Sequence, residues 1–243
     1  MATITFLGTS GSVVTKRRMC AGILFGDKLL DIGFGVLTNF LRSGRKLSLI
    51  NEVYITHTHS DHIGDFTGLV WAMAMDKRKE PLRVVGSTRT ESALKKILKL
   101  QSTPEGFVNF DIEFISPTSV GIETIKTIHS PENLAYKFKT KSTEFVYTGD
   151  TAVYSRVAEF ADRCDFLIHD GTYVDGEESM AVLAKHSTAR QAGKIAQKAK
   201  TKKLVLTHIS PANDSADLKY IAQTKSEFSG EITIAQDYLT LKI

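Results

Sequence analysis

Cysteine is scarce: Cys20 and Cys164 are the only two among 243 residues. Two thiols are too few for a disulfide framework, and they suit a reduced, cytoplasmic protein. No run of about eighteen apolar residues exists, so no membrane span is expected. The opening, Met1-Ala2-Thr3-Ile4-Thr5-Phe6-Leu7-Gly8, lacks a basic stretch followed by a long apolar core, which argues against a secretory signal. There is no low-complexity tract and no linker long enough to separate a pair of domains. With 42% hydrophobic and 24% charged residues, one globular domain over residues 1–243 is expected, with room for two similar halves. A net charge of +4 permits an anionic substrate without demonstrating one.

What the chain does have is concentrated at residues 53–65, Val53-Tyr54-Ile55-Thr56-His57-Thr58-His59-Ser60-Asp61-His62-Ile63-Gly64-Asp65. Val53, Tyr54, Ile55 and Thr56 are β-branched or aromatic and predict a buried strand. Three histidines and an aspartate follow within six residues. A loop at a strand end can turn such a cluster inward around a cation. Imidazole and carboxylate suit borderline and hard divalent metals. A lone histidine is usually solvated or a satisfied core residue; four potential ligands in six positions are not that.

The rest of the chain predicts a frame for this cluster. Thr3 and Thr5 alternate with Ile4 and Phe6, which suggests a strand over 2–7, and 8–12 is a turn. Lys16, Arg17 and Arg18 form either a solvated loop or a phosphate contact. Residues 21–25 and 28–32 predict a hairpin around Gly26-Asp27, followed by a helix near 36–43. Helices are expected over 66–75 and 90–100, and strands over 82–86, 110–115, 122–128 and 134–138. The second half predicts strands at 144–148, 165–169 and 203–207, with Val153, Val157, Phe160 and Cys164 on one helical face. Ser187 or Thr188 can cap a helix whose stripe is Ala189, Ala192, Ala196 and Ala199. Lys194, Lys198 and Lys200 lie largely off that stripe and predict a solvated face, with RNA contact as the alternative. A helix over 215–228 and two closing strands over 231–243 complete a layered α/β architecture.

Three further candidate ligands stand where predicted strands end: His129, Asp150 and His208. Singly, each would pass for a structural residue. In this order beside the cluster, they resemble the later motifs of the metallo-β-lactamase superfamily, and the cluster resembles its His-x-His-x-Asp-His signature. Leu7-Gly8-Thr9 and Asp31-Ile32-Gly33 are similar to its opening. The resemblance implies a four-layer αβ/βα sandwich with the site at one edge of two sheets. It also implies two divalent metal ions. One is assigned to His57, His59 and His129, the other to Asp61, His62 and His208, with Asp150 bridging. Two dications roughly 3.5–4 Å apart repel and need an anion between them. With no cysteine among these ligands, Zn2+ is the first expectation, and Mn2+ or Fe2+ would fit the same donors. Such ions lower the pKa of a shared water and offset charge in a phosphorane-like transition state.

Three stretches resemble the ribonuclease Z branch, the tRNA 3′-processing endonucleases, and its phosphodiesterase relatives. They are His129-Ser130-Pro131 with Leu134-Ala135-Tyr136, then Lys185-His186-Ser187-Thr188-Ala189, then Leu204-Val205-Leu206-Thr207-His208-Ile209-Ser210-Pro211. The resemblance implies that His186 helps protonate the leaving oxygen and that Asp170 supports it, with Asp61 the third catalytic residue. Two features depart from the branch. His169-Asp170-Gly171-Thr172 stands where the branch carries His-Glu-Ala-Thr. Only about twenty residues separate His129 from Asp150, too few for the branch's tRNA-gripping arm as well as the intervening strands. The expected function is a dinuclear metal-dependent phosphodiesterase acting on a tRNA precursor or on a smaller phosphodiester such as a cyclic nucleotide. Hydrolysis of another ester or lactam is the enzymatic alternative, and a metal-stabilised binding module the non-enzymatic one. No membrane partner is expected, and a homodimer is an open alternative.

Overall fold

The structure is a computed structural model and describes residues 3–243, so residue 2 of the predicted first strand lies outside the described residues. In chain order the elements are β1 (Thr3–Gly8), β2 (Gly22–Phe25), β3 (Lys28–Leu30), α1 (Val36–Arg42), β4 (Glu52–Tyr54), α2 (Ser60–Ile63), α3 (Phe66–Met75), β5 (Leu82–Val85), α4 (Thr88–Leu100), β6 (Ile112–Ile115), β7 (Glu123–Lys126), β8 (Leu134–Lys139), β9 (Glu144–Tyr147), α5 (Ser155–Phe160), β10 (Phe166–Asp170), α6 (Glu178–Ala184), α7 (Ala189–Ala199), β11 (Lys203–Thr207), α8 (Asp217–Lys225), β12 (Glu231–Ile234) and β13 (Thr240–Lys242). One sheet has the order β13-β1-β2-β3-β4-β5-β6, the other β12-β11-β10-β9-β8-β7. Each is an antiparallel meander followed by parallel strands: β1-β2-β3 leads into β4-β5-β6, and β7-β8-β9 into β10-β11-β12. The two halves are therefore built alike.

Three apolar clusters make four layers. Val53, Val84 and Leu29 pack outward against Phe40, Phe66 and Leu69 of α1 and α3. Leu167, Leu204 and Leu206 pack outward against Ala192, Ala196 and Tyr220 of α7 and α8. Between the sheets lie Phe6, Tyr54, Tyr136, Phe138, Phe145 and Val205. Successive strand residues point to opposite faces. Val53 thus meets the helices while Tyr54 fills the inter-sheet layer, and the parallel strands read as unbroken apolar runs. Thr5 is buried as well, with its hydroxyl 3.1 Å from that of Thr240.

The alanine stripe of α7 is buried as expected, and Thr188 caps the helix in a capping box with Gln191. Val153 departs from the expected helical face: it precedes α5 and is exposed. Helix α6 was not predicted. Only Ala181 is buried on it, while Met180, Val182 and Leu183 face outward, so it has no apolar periodicity toward the core. Among the described residues, no helix is long and apolar enough to cross a membrane. Strands β4, β9, β10 and β11 release their C-terminal ends toward one edge of the sandwich, the usual place for a site in parallel sheets.

Candidate metal centre

After β4 the chain keeps sheet pairing through Ile55, whose N–H reaches Val85 O at 2.9 Å. The next N–H, that of Thr56, is taken by Asp31 Oδ1 at 2.8 Å, which turns the chain inward. His57 enters the site directly, and Asp61 and His62 follow buried on the single turn α2.

All seven expected ligands converge. His59 Nδ1 stands 3.0 Å from His57 Nε2 and 3.2 Å from His129 Nε2. Asp150 Oδ2 is 3.6 Å from both of those Nε2 atoms. Beside them, His208 Nε2 lies 3.2 Å from Asp61 Oδ2 and 3.4 Å from Asp150 Oδ2. His62 Nε2 faces Asp150 Oδ1 at 3.3 Å and Asp61 Oδ2 at 3.9 Å. Four donors around an ion at 2.0–2.1 Å stand about 3.3 Å apart in a tetrahedron. The spacings, from 3.0 to 3.9 Å, bracket that figure. Both oxygens of Asp150 and Nε2 of His62 are buried without a hydrogen-bond partner among the described residues. A buried carboxylate left unpaired costs several kcal/mol or more, so these orphaned atoms fit a site for divalent cations.

The outer nitrogens are held from behind. His62 Nδ1 donates to Asp31 Oδ2 at 2.8 Å. Asp31 also accepts from the Thr56 hydroxyl at 2.9 Å and from Tyr147 OH at 2.8 Å. Having donated to Asp31, the Thr56 hydroxyl accepts from His57 Nδ1 at 3.1 Å. Thr172 does the same on the other side: its hydroxyl donates to Asp170 Oδ1 at 2.7 Å and accepts from His208 Nδ1 at 2.8 Å. Each contact leaves an Nε2 lone pair facing the site. His129 Nδ1 donates to Lys185 O at 3.1 Å. Burial holds the pKa of His57 well below the usual range, which favours the neutral, ligating form. Burial also opposes charge on His62, but Asp150, Asp31 and Asp61 outweigh it and raise its pKa well above the usual range. Those carboxylates call for a positive charge at Nε2, which a bound dication would supply in place of a proton.

His186 Nδ1 sits 2.7 Å from Asp170 Oδ2. Asp170 is fully buried and accepts three more hydrogen bonds, from Thr151 N, Thr172 N and Thr172 Oγ1. The shorter aspartate arm thus reaches the histidine directly. Its neighbour Gly171 has no room to spare: a Cβ would lie 3.1 Å from Leu206 Cβ. Burial lowers the pKa of His186, yet the charge and hydrogen bond of Asp170 raise it to about 9. The ring stacks on His208 at 5.0 Å. It lines a cleft of about 600 Å3 together with His59, Asp61, His129, Asp150 and Leu183.

Lys16, Arg17 and Arg18 do not line that cleft. Lys16 and Arg17 are exposed. Arg18 corrects the expectation of a substrate contact: it is 1% exposed and ion-paired to Asp214 and Asp217. The sequence did not reveal the roles of Asp31, Thr56 and Thr172. For Asp31 one signal was present, the Asp-x-Gly motif. A Cβ on Gly33 would stand 1.9 Å from the Asp61 carbonyl, so the motif packs directly under the cluster.

A family profile described as "Beta-lactamase superfamily domain" matches residues 29–209, a span that contains all seven candidate ligands. The chain belongs to the beta-lactamase superfamily. Among curated members it is similar to ribonuclease Z of Haloarcula marismortui, 25% identical over 99% of this chain and 96% of the relative. Ribonuclease Z of Archaeoglobus fulgidus is 27% identical over 99% and 97%. Both alignments span 300 positions against 243 residues, so these relatives carry segments without counterpart here. Among solved structures, the metallo-beta-lactamase fold protein YhfI from Bacillus subtilis superposes with a TM-score of 0.86 at 24% identity, covering 99% of this chain and 98% of that one. The short form of human tRNase Z gives 0.81 at 22% identity, covering 99% of each chain. This superfamily member is ribonuclease Z-like along its length, and its fold is the metallo-β-lactamase sandwich.

Proposed function

We propose that this single-domain protein is a two-metal phosphodiesterase of the ribonuclease Z kind, with a tRNA precursor as the first candidate substrate. The reading rests on one observation above all: the buried Asp150 carboxylate has no hydrogen-bond partner among the described residues and is faced by imidazoles on both sides. In this reading His57, His59 and His129 hold one ion, Asp61, His62 and His208 the other, and Asp150 both. Zn2+ is the first choice, with Mn2+ and Fe2+ as alternatives. When bound, such ions polarise the phosphoryl group and supply a nucleophile from water at neutral pH. The chain's own residues do the rest. Asp31, Thr56 and Thr172 keep the ligand rings turned inward. His186 donates a proton to the departing oxygen, and Asp170 fixes its Nδ1 so that the other nitrogen faces the cleft.

Hydrolysis of bis(p-nitrophenyl) phosphate, lost on chelation and restored by Zn2+, is the expected result. A protein loaded with two ions that leaves every diester intact refutes the reading. A smaller phosphodiester is the second candidate, favoured by the short hairpin of β8 and β9 that fills the interval between His129 and Asp150. Rates on a tRNA precursor and on cyclic and linear diesters decide between the two. Lys16 and Arg17 are the loop cations proposed for RNA. Replacing both with alanine should weaken precursor binding and flatten its salt dependence. Light scattering tests the proposed homodimer, and cell fractionation the cytoplasmic location.

A further inference from the structure

The loop 11–18 contributes no ligand, yet it touches two of them. Gly11 lies against the His208 ring: a Cβ there would stand 2.6 Å from Nδ1 and 2.7 Å from Cε1. Ser12 follows with φ of 64°, a left-handed conformation uncommon outside glycine. That turn aims the Ser12 N–H at Asp61 Oδ2, 2.7 Å away. Both contacts fall in one ligand group. Neither involves His57, His59 or His129.

The loop is tied down at both ends. Gly11 N–H donates to Ile209 O at 3.0 Å, Thr15 N–H to Arg18 O at 2.8 Å, and Ser10 Oγ to Val13 O at 2.7 Å. Arg18 anchors it. Its Nε donates to Asp214 Oδ1 at 2.9 Å, its Nη2 to Asp217 Oδ1 at 3.1 Å and its Nη1 to Thr9 Oγ1 at 2.9 Å and to the Ala235 carbonyl. Asp214 also accepts from Thr15 Oγ1 at 3.0 Å. A buried guanidinium with every edge engaged thus joins the loop to the segment that follows His208. Its planar fork is a geometry that lysine does not reproduce.

We infer that loop 11–18, locked by Arg18, is a positioning clamp for the Asp61–His62–His208 ion position and sets the affinity of that position apart from the other. The inference rests on the two-ion reading above. Contacts that orient a ligand from behind typically change metal affinity 10–100-fold. Here they act on two ligands of one ion.

The test is a stepwise Co2+ titration of metal-stripped protein followed by visible absorption, with elemental analysis after dialysis at limiting metal. Thermal unfolding of the stripped proteins runs in parallel. Gly11→Ala should keep one ion at wild-type affinity and bind the second about 10–100-fold more weakly. Arg18→Lys, which keeps the charge and loses the fork, should show the same selective loss at smaller amplitude. It decides the matter if Gly11→Ala does not fold. A merely structural role would lower the unfolding temperature and weaken both ions together. Parallel loss of both ions, or wild-type affinity at both positions in the two variants, overturns the clamp. A wild type that takes up no more than one ion overturns the two-ion reading, and the clamp with it.

Discussion

Asp61, His62 and His208 are all buried, whereas in the other ligand group His59 is exposed, although the His57 and His129 rings are covered. The buried group has Asp61 of its own, Asp31 behind His62, Thr172 behind His208 and Ser12 on Asp61. The open group has three imidazoles and only the shared Asp150 for charge. His129 is tethered by a single carbonyl. In the proposed two-ion site, charge and enclosure therefore favour one position over its neighbour, although both would use the same bridging carboxylate. The open position is the one expected to exchange with solvent first.

The comparison can be broken outright at Asp150. Asp150→Ala removes the one group both positions share. Metal content should fall at both, and diester hydrolysis by more than about 10⁴-fold, since each ion supplies several kcal/mol of transition-state stabilisation. A variant that keeps two ions by elemental analysis would refute the bridging role. His186 lies between the groups, 5.0 Å from the rings of both His129 and His208. His186→Ala should keep both ions and lose roughly 10²–10⁴-fold in turnover on an unactivated diester. The loss should be much smaller with a p-nitrophenolate leaving group, which departs unprotonated. Equal losses on both substrates would show that the ring positions substrate instead.

The pH profile carries the same information with a sign. As the proposed proton donor His186 acts only when protonated, and Asp170 raises its pKa to about 9 against the effect of burial. Activity should thus persist below that value and fall as pH rises through it. Bound dications move this alkaline limb down from 9. Asp170→Asn removes the raising charge and should move it further, toward the ordinary histidine value near 6.5. A limb that stays in place would detach Asp170 from the proton donor. The smallest effect sharpens the asymmetry. Asp31→Asn removes the charge behind His62, so the ion held by His62 should weaken about 10–100-fold and the other less, because Asp31 reaches His57 only through the Thr56 hydroxyl. Competitive chelation of the two-ion protein would resolve the two steps, and a uniform shift of both would count against the unequal design.

Legibility in the sequence follows the distance over which a residue acts. His57, His59, Asp61 and His62 announce themselves because four donors sit within six positions. His129, Asp150 and His208 each follow a predicted strand, but it is their order beside the cluster, resembling the superfamily's later motifs, that makes them candidates. Asp31 acts on a residue 31 positions away, and Thr172 on one 36 positions away. Nothing local marks Thr172, and the Asp-x-Gly motif that marks Asp31 does not say which residue it reaches. Arg18 shows the reverse error: a run of three cations reads as surface, yet its carboxylate partners lie 196 and 199 positions downstream. The layered fold was legible because parallel strands leave long apolar runs. Helix α6 was not, since its apolar residues point away from the core.

The pairing of β1 with β13 joins Thr3 to Lys242 across nearly the whole chain. During synthesis β1 acquires β2 within moments, but its other edge waits for residues 240–242. At about 5–20 residues per second, that delay is on the order of ten to fifty seconds. Throughout it, a strand rich in apolar residues presents unpaired backbone groups, a template for joining the wrong chain. Contacts so distant in sequence also slow refolding from denaturant. The nascent protein therefore has a period of exposure that the finished one lacks, and cells making it quickly should depend on whatever shields that edge until the last strand arrives.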